Sequence, residues 1–262
     1  MKTAAVIFLT CIFLQSIAQN TQTVNDFKQL PALTWKFTID TSFFASPVAD
    51  DGIIYIGGLD STLYALDLKN GKQVWQFKTH GEIRSNVCLD GEALILNGGD
   101  GWLYKLSRKN GKIIWKFETK GEKKYDFADY FHSTPALYKG MVYFGSGDGY
   151  IYAVDKESGT LKWKFLTDGV VHTTPAFDNN KLFIGSFDGY VYSLNLLTGE
   201  LIWKFKTIGH RYFPLGEVQG SPAVHNGLVF IGARDYNVYA LDQEKGYCHW
   251  NKAFFRGWGL CT

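Results

Sequence analysis

The chain is short of several things. Among 262 residues there are 6 prolines, 2 methionines and 4 cysteines, and no two cysteines are adjacent. Little proline beside 28 glycines excludes Pro-rich linkers and favours many tight turns. Neither sign of charge is in excess: 27 basic against 25 acidic side chains give a net charge of +2. A nucleic-acid binder needs a concentrated positive face, so that class is excluded, and so is an acidic tail protein. The sequence holds no Gly-rich phosphate loop, nucleophile elbow or paired-His zinc motif. Catalysis therefore has no motif of its own. Apolar residues at 46% and aromatics at 16% are too many for a disordered chain.

Long apolar runs are also missing, except near the start. Lys2 precedes a mostly apolar stretch, Ala4 to Leu14, that is too short to span a bilayer. Ser16-Ile17-Ala18 places small residues three and one positions before a cut. This layout predicts a signal peptide over 1–18, with Gln19 as the mature N-terminus and a linker over 19–32. Lipid attachment at Cys11 is the rival processing route, although Thr10 before it is larger than the residue a lipoprotein signal carries there. Signal removal leaves Cys88, Cys248 and Cys261, an odd number that keeps at least one thiol unpaired within the chain.

What is present is a repeat. Trp35, Trp75, Trp115, Trp163, Trp203 and Trp250 are separated by 40, 40, 48, 40 and 47 residues. Each unit opens with Ser46-Pro47, Thr134-Pro135, Thr174-Pro175 or Ser221-Pro222, with Ser85-Asn86 as the variant copy. Turn dipeptides cut the unit into four runs of about five or six residues, as at Asp51-Gly52, Asp60-Ser61 and Asn70-Gly71. The runs are rich in Val, Ile, Tyr and Phe, which is strand composition. Four short antiparallel strands cannot bury both faces alone, whereas stacked copies can. The prediction is an all-β propeller over 33–262 with five complete four-stranded blades. The register places Cys88 with Ala49, Leu137, Phe177 and Val224, and Cys248 with Gln73, Ile113, Leu161 and Leu201, predicting buried core thiols.

The blade resembles the quinoprotein-type, or PQQ-like, repeat, whose docking motif reads Ala-x-Asp-x-x-x-Gly-x-x-x-Trp. It stands complete at Ala65, Asp67, Gly71, Trp75; at Ala153, Asp155, Gly159, Trp163; and at Ala240, Asp242, Gly246, Trp250. Ser193, Asn195, Gly199, Trp203 is one step away, and Lys105, Ser107, Gly111, Trp115 keeps only Gly and Trp. The resemblance implies that Trp75, Trp115, Trp163, Trp203 and Trp250 pack between neighbouring blades. Rings of seven or eight blades are expected, so the lone run Leu33-Thr34-Trp35-Lys36-Phe37 reads as a fourth strand whose three partners are missing, in a truncated or partner-closed ring.

Functional candidates lie in the loops. The connections holding Tyr125, Asp126, Phe127, Asp129 and Tyr130, and His210, Arg211, Tyr212 and Phe213, account for the longer spacings of 48 and 47 and mix charge with aromatics. Interfaces favour that composition, so a protein partner is expected there. His132 and His172 share one repeat position, filled elsewhere by Phe44, Ile83 and Gln219, and are read as channel lining. Asp126, Asp129 and His210 can approach them, yet spacing alone does not define a metal shell, and no metal ligand is assigned. The aspartates Asp60, Asp100, Asp148, Asp188 and Asp235 are read as turn formers. The array, the signal and the lack of added domains are similar to family members that serve outer-membrane protein assembly, which implies an exported, periplasmic, non-catalytic scaffold with an envelope protein partner. The alternatives are a dehydrogenase using PQQ with calcium, or a polysaccharide-binding propeller. Many of the family's dehydrogenases hold the quinone on an adjacent-cysteine disulfide, which is missing here.

Overall fold

In a computed structural model, the described residues are 32–123 and 129–254. The predicted signal peptide and most of the predicted linker lie outside them, as does Cys261. The described residues from Trp35 onward belong to one compact unit. No helix among the described residues is long and apolar enough to cross a membrane.

Among the described residues, twenty strands make five four-stranded antiparallel sheets, each a meander in chain order. Blade 1 comprises β1 (Val48–Asp50), β2 (Ile53–Gly57), β3 (Thr62–Asp67) and β4 (Gln73–Lys78). Blade 2 comprises β5 (Cys88–Asp90), β6 (Ala93–Asn97), β7 (Trp102–Ser107) and β8 (Ile113–Glu118). Blade 3 comprises β9 (Ala136–Tyr138), β10 (Met141–Gly145), β11 (Tyr150–Asp155) and β12 (Leu161–Leu166). Blade 4 comprises β13 (Ala176–Asp178), β14 (Lys181–Gly185), β15 (Tyr190–Asn195) and β16 (Leu201–Lys206). Blade 5 comprises β17 (Ala223–His225), β18 (Leu228–Gly232), β19 (Asn237–Asp242) and β20 (Cys248–Ala253). The two middle strands of a blade are buried on both faces, as in the BBBBB pattern of β6, whereas the fourth strands are largely exposed. The core therefore lies between blades.

Each part of the docking motif has a local cause. The Asp or Asn closes the turn after the third strand: Asp155 Oδ1 accepts the N–H groups of Glu157 and Ser158 at 3.1 and 2.9 Å. Asn195 Oδ1 does the same for Leu197 and Thr198, so the amide oxygen replaces the carboxylate without loss. The Gly that follows has a positive φ, +69° at Gly159 and +73° at Gly199, which favours glycine. It is also the surface on which the preceding blade's tryptophan lies. A methyl group on Gly199 would sit 2.6 Å from the Trp163 ring, and one on Gly111 or Gly159 would sit 2.7 Å from Trp75 or Trp115. The indole N–H then donates to the carbonyl one residue past the motif Asp: Trp75 to Arg108, Trp115 to Lys156, Trp163 to Leu196 and Trp203 to Gln243, at 2.8 to 3.1 Å. Trp35 makes the same bond to Leu68 at 2.8 Å. The predicted strand at 33–37 is not a strand in the structure, yet its tryptophan docks in register.

Lys105 replaces the buried Ala of the motif in blade 2. Its ammonium reaches Asp90 at 2.7 Å and the Lys156 carbonyl at 2.8 Å, so a charged clasp holds blade 3 there.

Strand pairing corrects the repeat register in blade 2 by one residue. Val48 faces Tyr55 and Cys88 faces Ile95, so Cys88 aligns with Val48 and Ala136 rather than Ala49 and Leu137. Asn86, not Ser85, is the counterpart of Ser46, and Arg84, not Ile83, stands at the His132 position. Cys88 and Cys248 are free thiols, only partly buried.

The glycine at the tryptophan contact is testable. Gly227 has φ +76° with open space around its Cα, so Gly227→Ala bears only backbone strain, about 1–2 kcal/mol. Gly199→Ala adds a clash with Trp163 worth about 1–3 kcal/mol more. Urea denaturation of both variants should rank Gly199→Ala clearly lower; equal stabilities would remove the contact from the account.

Candidate functional site

The first strands begin around a cavity of about 270 Å³. A chain of hydrogen bonds runs along its wall from blade to blade. The Ser46 N–H donates to Asn86 Oδ1 at 2.7 Å, Asn86 to Thr134 Oγ1 at 3.2 Å, Thr134 to Thr174 Oγ1 at 3.2 Å, and Thr174 to Ser221 Oγ at 2.9 Å. Thr134, Thr174 and Ser221 thus each accept a bond from the preceding blade. Asn86 supplies the same acceptor through its side-chain oxygen. After Ser46, Thr134, Thr174 and Ser221 a proline fixes φ and has no N–H to satisfy as the strand starts, whereas Val87 follows Asn86.

Two residues before each acceptor stand Phe44, Arg84, His132, His172 and Gln219, all but Phe44 lining the cavity. The two histidine rings lie 4.9 Å apart, centroid to centroid. His172 is held from both sides: Nδ1 is 2.8 Å from Asp129 Oδ1, and Nε2 is 3.1 Å from Glu122 Oε2. All three side chains are at most 5% exposed. Burial alone would push the His172 imidazole down, but the hydrogen bonds to Asp129 and Glu122 overcome it and raise it to about 9. His132 has no such partner, and burial pushes it down to about 4. Its Nδ1 is buried without a hydrogen-bond partner.

Glu122 is the residue that repeat reasoning passed over. In the other four blades the N–H of the residue before the turn Asp donates to a backbone carbonyl of the incoming connection: Leu59 to Ser42, Gly99 to Glu82, Phe187 to Val170 and Arg234 to Glu217. In blade 3 the Glu122 carboxylate takes that role, accepting the Gly147 N–H at 2.8 Å. A side chain at 147 would overlap this carboxylate. Blade 2 also carries glycine there, Gly99, and bonds to a backbone carbonyl, so Gly147 does not by itself mark the arrangement in the sequence.

The five turn aspartates are used internally. Asp148 Oδ1 accepts the Tyr150 N–H at 3.0 Å, and Oδ2 accepts the Tyr152 hydroxyl at 2.6 Å and the Lys120 N–H at 2.9 Å. Asp188 repeats this with Tyr190, Tyr192 and Asp168. Burial and the bond to aspartate raise the Tyr152 and Tyr192 phenols above their ordinary range. No open ring of carboxylates results.

The candidate loop residues separate. Tyr125, Asp126 and Phe127 lie outside the described residues. Asp129 is buried against His172, whereas Tyr130 is 44% exposed with its ring 5.2 Å from Phe44. In the other connection, His210 and Phe213 exchange two backbone hydrogen bonds of 3.0 and 2.9 Å, forming a closed hairpin. His210 stands edge-on to Tyr236, and the Arg234 guanidinium lies 4.2 Å from the Phe213 ring centre. The tip is left outside: Ile208 and Tyr212 are 69% and 62% exposed, with the Arg211 guanidinium over Tyr212 at 4.4 Å.

His172→Leu leaves Glu122 and Asp129 buried and facing no cation. Removing one partner of a buried charged set costs about 3–5 kcal/mol, so a matching loss is expected in urea denaturation. His225→Ala, on an exposed strand end, should stay within about 0.5 kcal/mol of the parent. A neutral His172→Leu would show that the carboxylates do not depend on the imidazole.

The family model described as outer membrane protein assembly factor BamB matches residues 21–128 and 124–257. No curated protein matches the sequence. Among solved structures, BamB from Moraxella catarrhalis superposes with a TM-score of 0.70 at 19% identity, covering 86% of this chain and 66% of that one. The quinohemoprotein alcohol dehydrogenase ADHIIG from Pseudomonas putida HK5 gives 0.67 at 20% identity, covering 85% and 44%. That from Comamonas testosteroni gives 0.66 at 18%, covering 82% and 43%. This chain spans only part of the length of each, and at such identities the structural likeness shows the fold alone. The family match covers most of the sequence: the chain belongs to the outer membrane protein assembly factor BamB family of PQQ-like β-propellers.

Proposed function

We propose that the protein is a non-catalytic exported scaffold at the periplasmic face of the outer membrane, and that it binds a protein partner during envelope assembly. The observation that carries this reading is the hairpin between blades 4 and 5. It spends its backbone bonds on itself, rests on Tyr236 and Arg234, and presents Ile208, Tyr212 and Leu215 with Arg211. Rigidly held aromatic and arginine side chains are what protein interfaces use as anchors, and a loop on a fixed scaffold loses little entropy on binding. Tyr130, exposed at the other long connection, is the second candidate contact. Membership of the BamB family supports an assembly partner. The domain reading, a signal over 1–18, a linker over 19–32 and the propeller over 33–262, belongs to the same proposal.

The dehydrogenases of similar fold supply the competing reading. It predicts dye-linked alcohol oxidation once PQQ and calcium are added, and a glycan-binding propeller predicts a rise in Tm with a polysaccharide. A photocrosslinking side chain at position 212 is expected to give an adduct with an outer-membrane assembly protein in intact cells. The same group at Leu197, 75% exposed on an outer turn, should give none. Arg211→Ala with Tyr212→Ala should weaken the association at least tenfold. Equal adducts at 197 and 212, or quinone-dependent oxidation, would overturn the scaffold reading.

A further inference from the structure

Glu122, His132 and His172 each offer one ligand atom, and these atoms all lie within 4.8 Å of one another. They come from three separate places in the chain: the long connection into blade 3, the entry to blade 3 and the entry to blade 4. We infer that they form a binding site for one divalent transition metal of the zinc class, with an open coordination position toward the cavity. The inference stands apart from the scaffold reading and needs no partner.

The donor set fits. Two imidazoles and a carboxylate are ligands that zinc and cobalt accept, and three protein ligands leave a fourth position for water or a small ligand. The separation of His172 Nε2 from Glu122 Oε2, 3.1 Å, is already close to the edge of a tetrahedron with bonds of about 2.1 Å, roughly 3.4 Å. Asp129 completes the arrangement. It holds His172 Nδ1 at 2.8 Å, which turns Nε2 toward Glu122. A carboxylate behind a ligating histidine fixes ring and tautomer in the same way in known metal sites. Glu122 is itself oriented, by the Gly147 N–H on Oε2 and the Ser146 hydroxyl at 3.3 Å on Oε1.

A second, independent observation concerns His132. Its Nδ1 is buried and has no hydrogen-bond partner, whereas buried polar atoms are nearly always satisfied. Contraction of the set by roughly 1 Å around an ion would occupy this histidine. Its removal breaks none of the bonds that hold His172, Glu122 and Asp129 together, so it isolates metal binding from folding.

The full chain, stripped with chelator, is titrated with cobalt(II) alone and then zinc(II) alone. The expected result is one equivalent of cobalt with visible absorption of a four- or five-coordinate nitrogen and oxygen site, displaced by zinc. His132→Phe should retain the parent's folding cooperativity and lose at least tenfold in cobalt affinity. Asp129→Asn should lose about ten- to a hundredfold, as such supporting carboxylates do. A parent chain that takes up no cobalt or zinc at millimolar concentration overturns the inference. So does a His132→Phe chain that binds as the parent does, because the ion then sits elsewhere.

Discussion

Each blade hands its outer strand's tryptophan to the next blade, where the ring lies flat on a glycine and the indole N–H reaches a carbonyl. Both halves of the contact are needed. A buried indole without an acceptor costs about 1–3 kcal/mol, and a side chain in place of the glycine would hold the ring off. The motif aspartate enters indirectly, by fixing the turn that presents the glycine and the carbonyl together. Trp163 and Trp203 are 8% and 7% exposed as a result, while Trp250, with no following blade among the described residues, is 46% exposed. Neighbouring blades define one another, and the loops inherit their positions from this stacking.

A rigid array of this kind gives meaning to its irregularities. Where the connection into blade 3 lengthens, a carboxylate takes over the work of a backbone carbonyl, and the price is a buried charge. His172 compensates that charge and Asp129 completes the set, so an insertion that begins as a local detour ends as an ordered polar cluster beside the cavity. The insertion before blade 5 resolves differently. Its hairpin closes on itself, and its apolar and cationic tip faces outward. One insertion thus builds an interior site and the other an exterior surface.

The fold was legible because tryptophans, turn dipeptides and the Asp-to-Gly spacing report backbone needs that every blade shares. The blade 2 register was misread by one residue because Asn86 stands where the other blades have Ser or Thr and no proline follows it. The 40-residue spacing from Trp75 to Trp115 already puts Asn86 level with Ser46, and the strand pairing and the Ser46-to-Asn86 bond agree. His132 and His172 were legible as a pair through that register. Glu122 was not, since an insertion has no register, and Asp129 looked like a surface loop residue because its burial depends on an imidazole 43 residues away. Tyr212 and Arg211 were read from composition, but the bonds that hold their hairpin are between backbone atoms and leave no mark in side-chain identity.

The dependence of the array on tryptophan docking can be read directly from indole hydrogen exchange, followed by NMR on indole-labelled protein. The account predicts slow exchange for Trp75, Trp115, Trp163 and Trp203, whose N–H groups are bonded to the next blade, and fast exchange for Trp250. Rapid exchange at the four docked indoles, or protection of Trp250 equal to theirs, would contradict it.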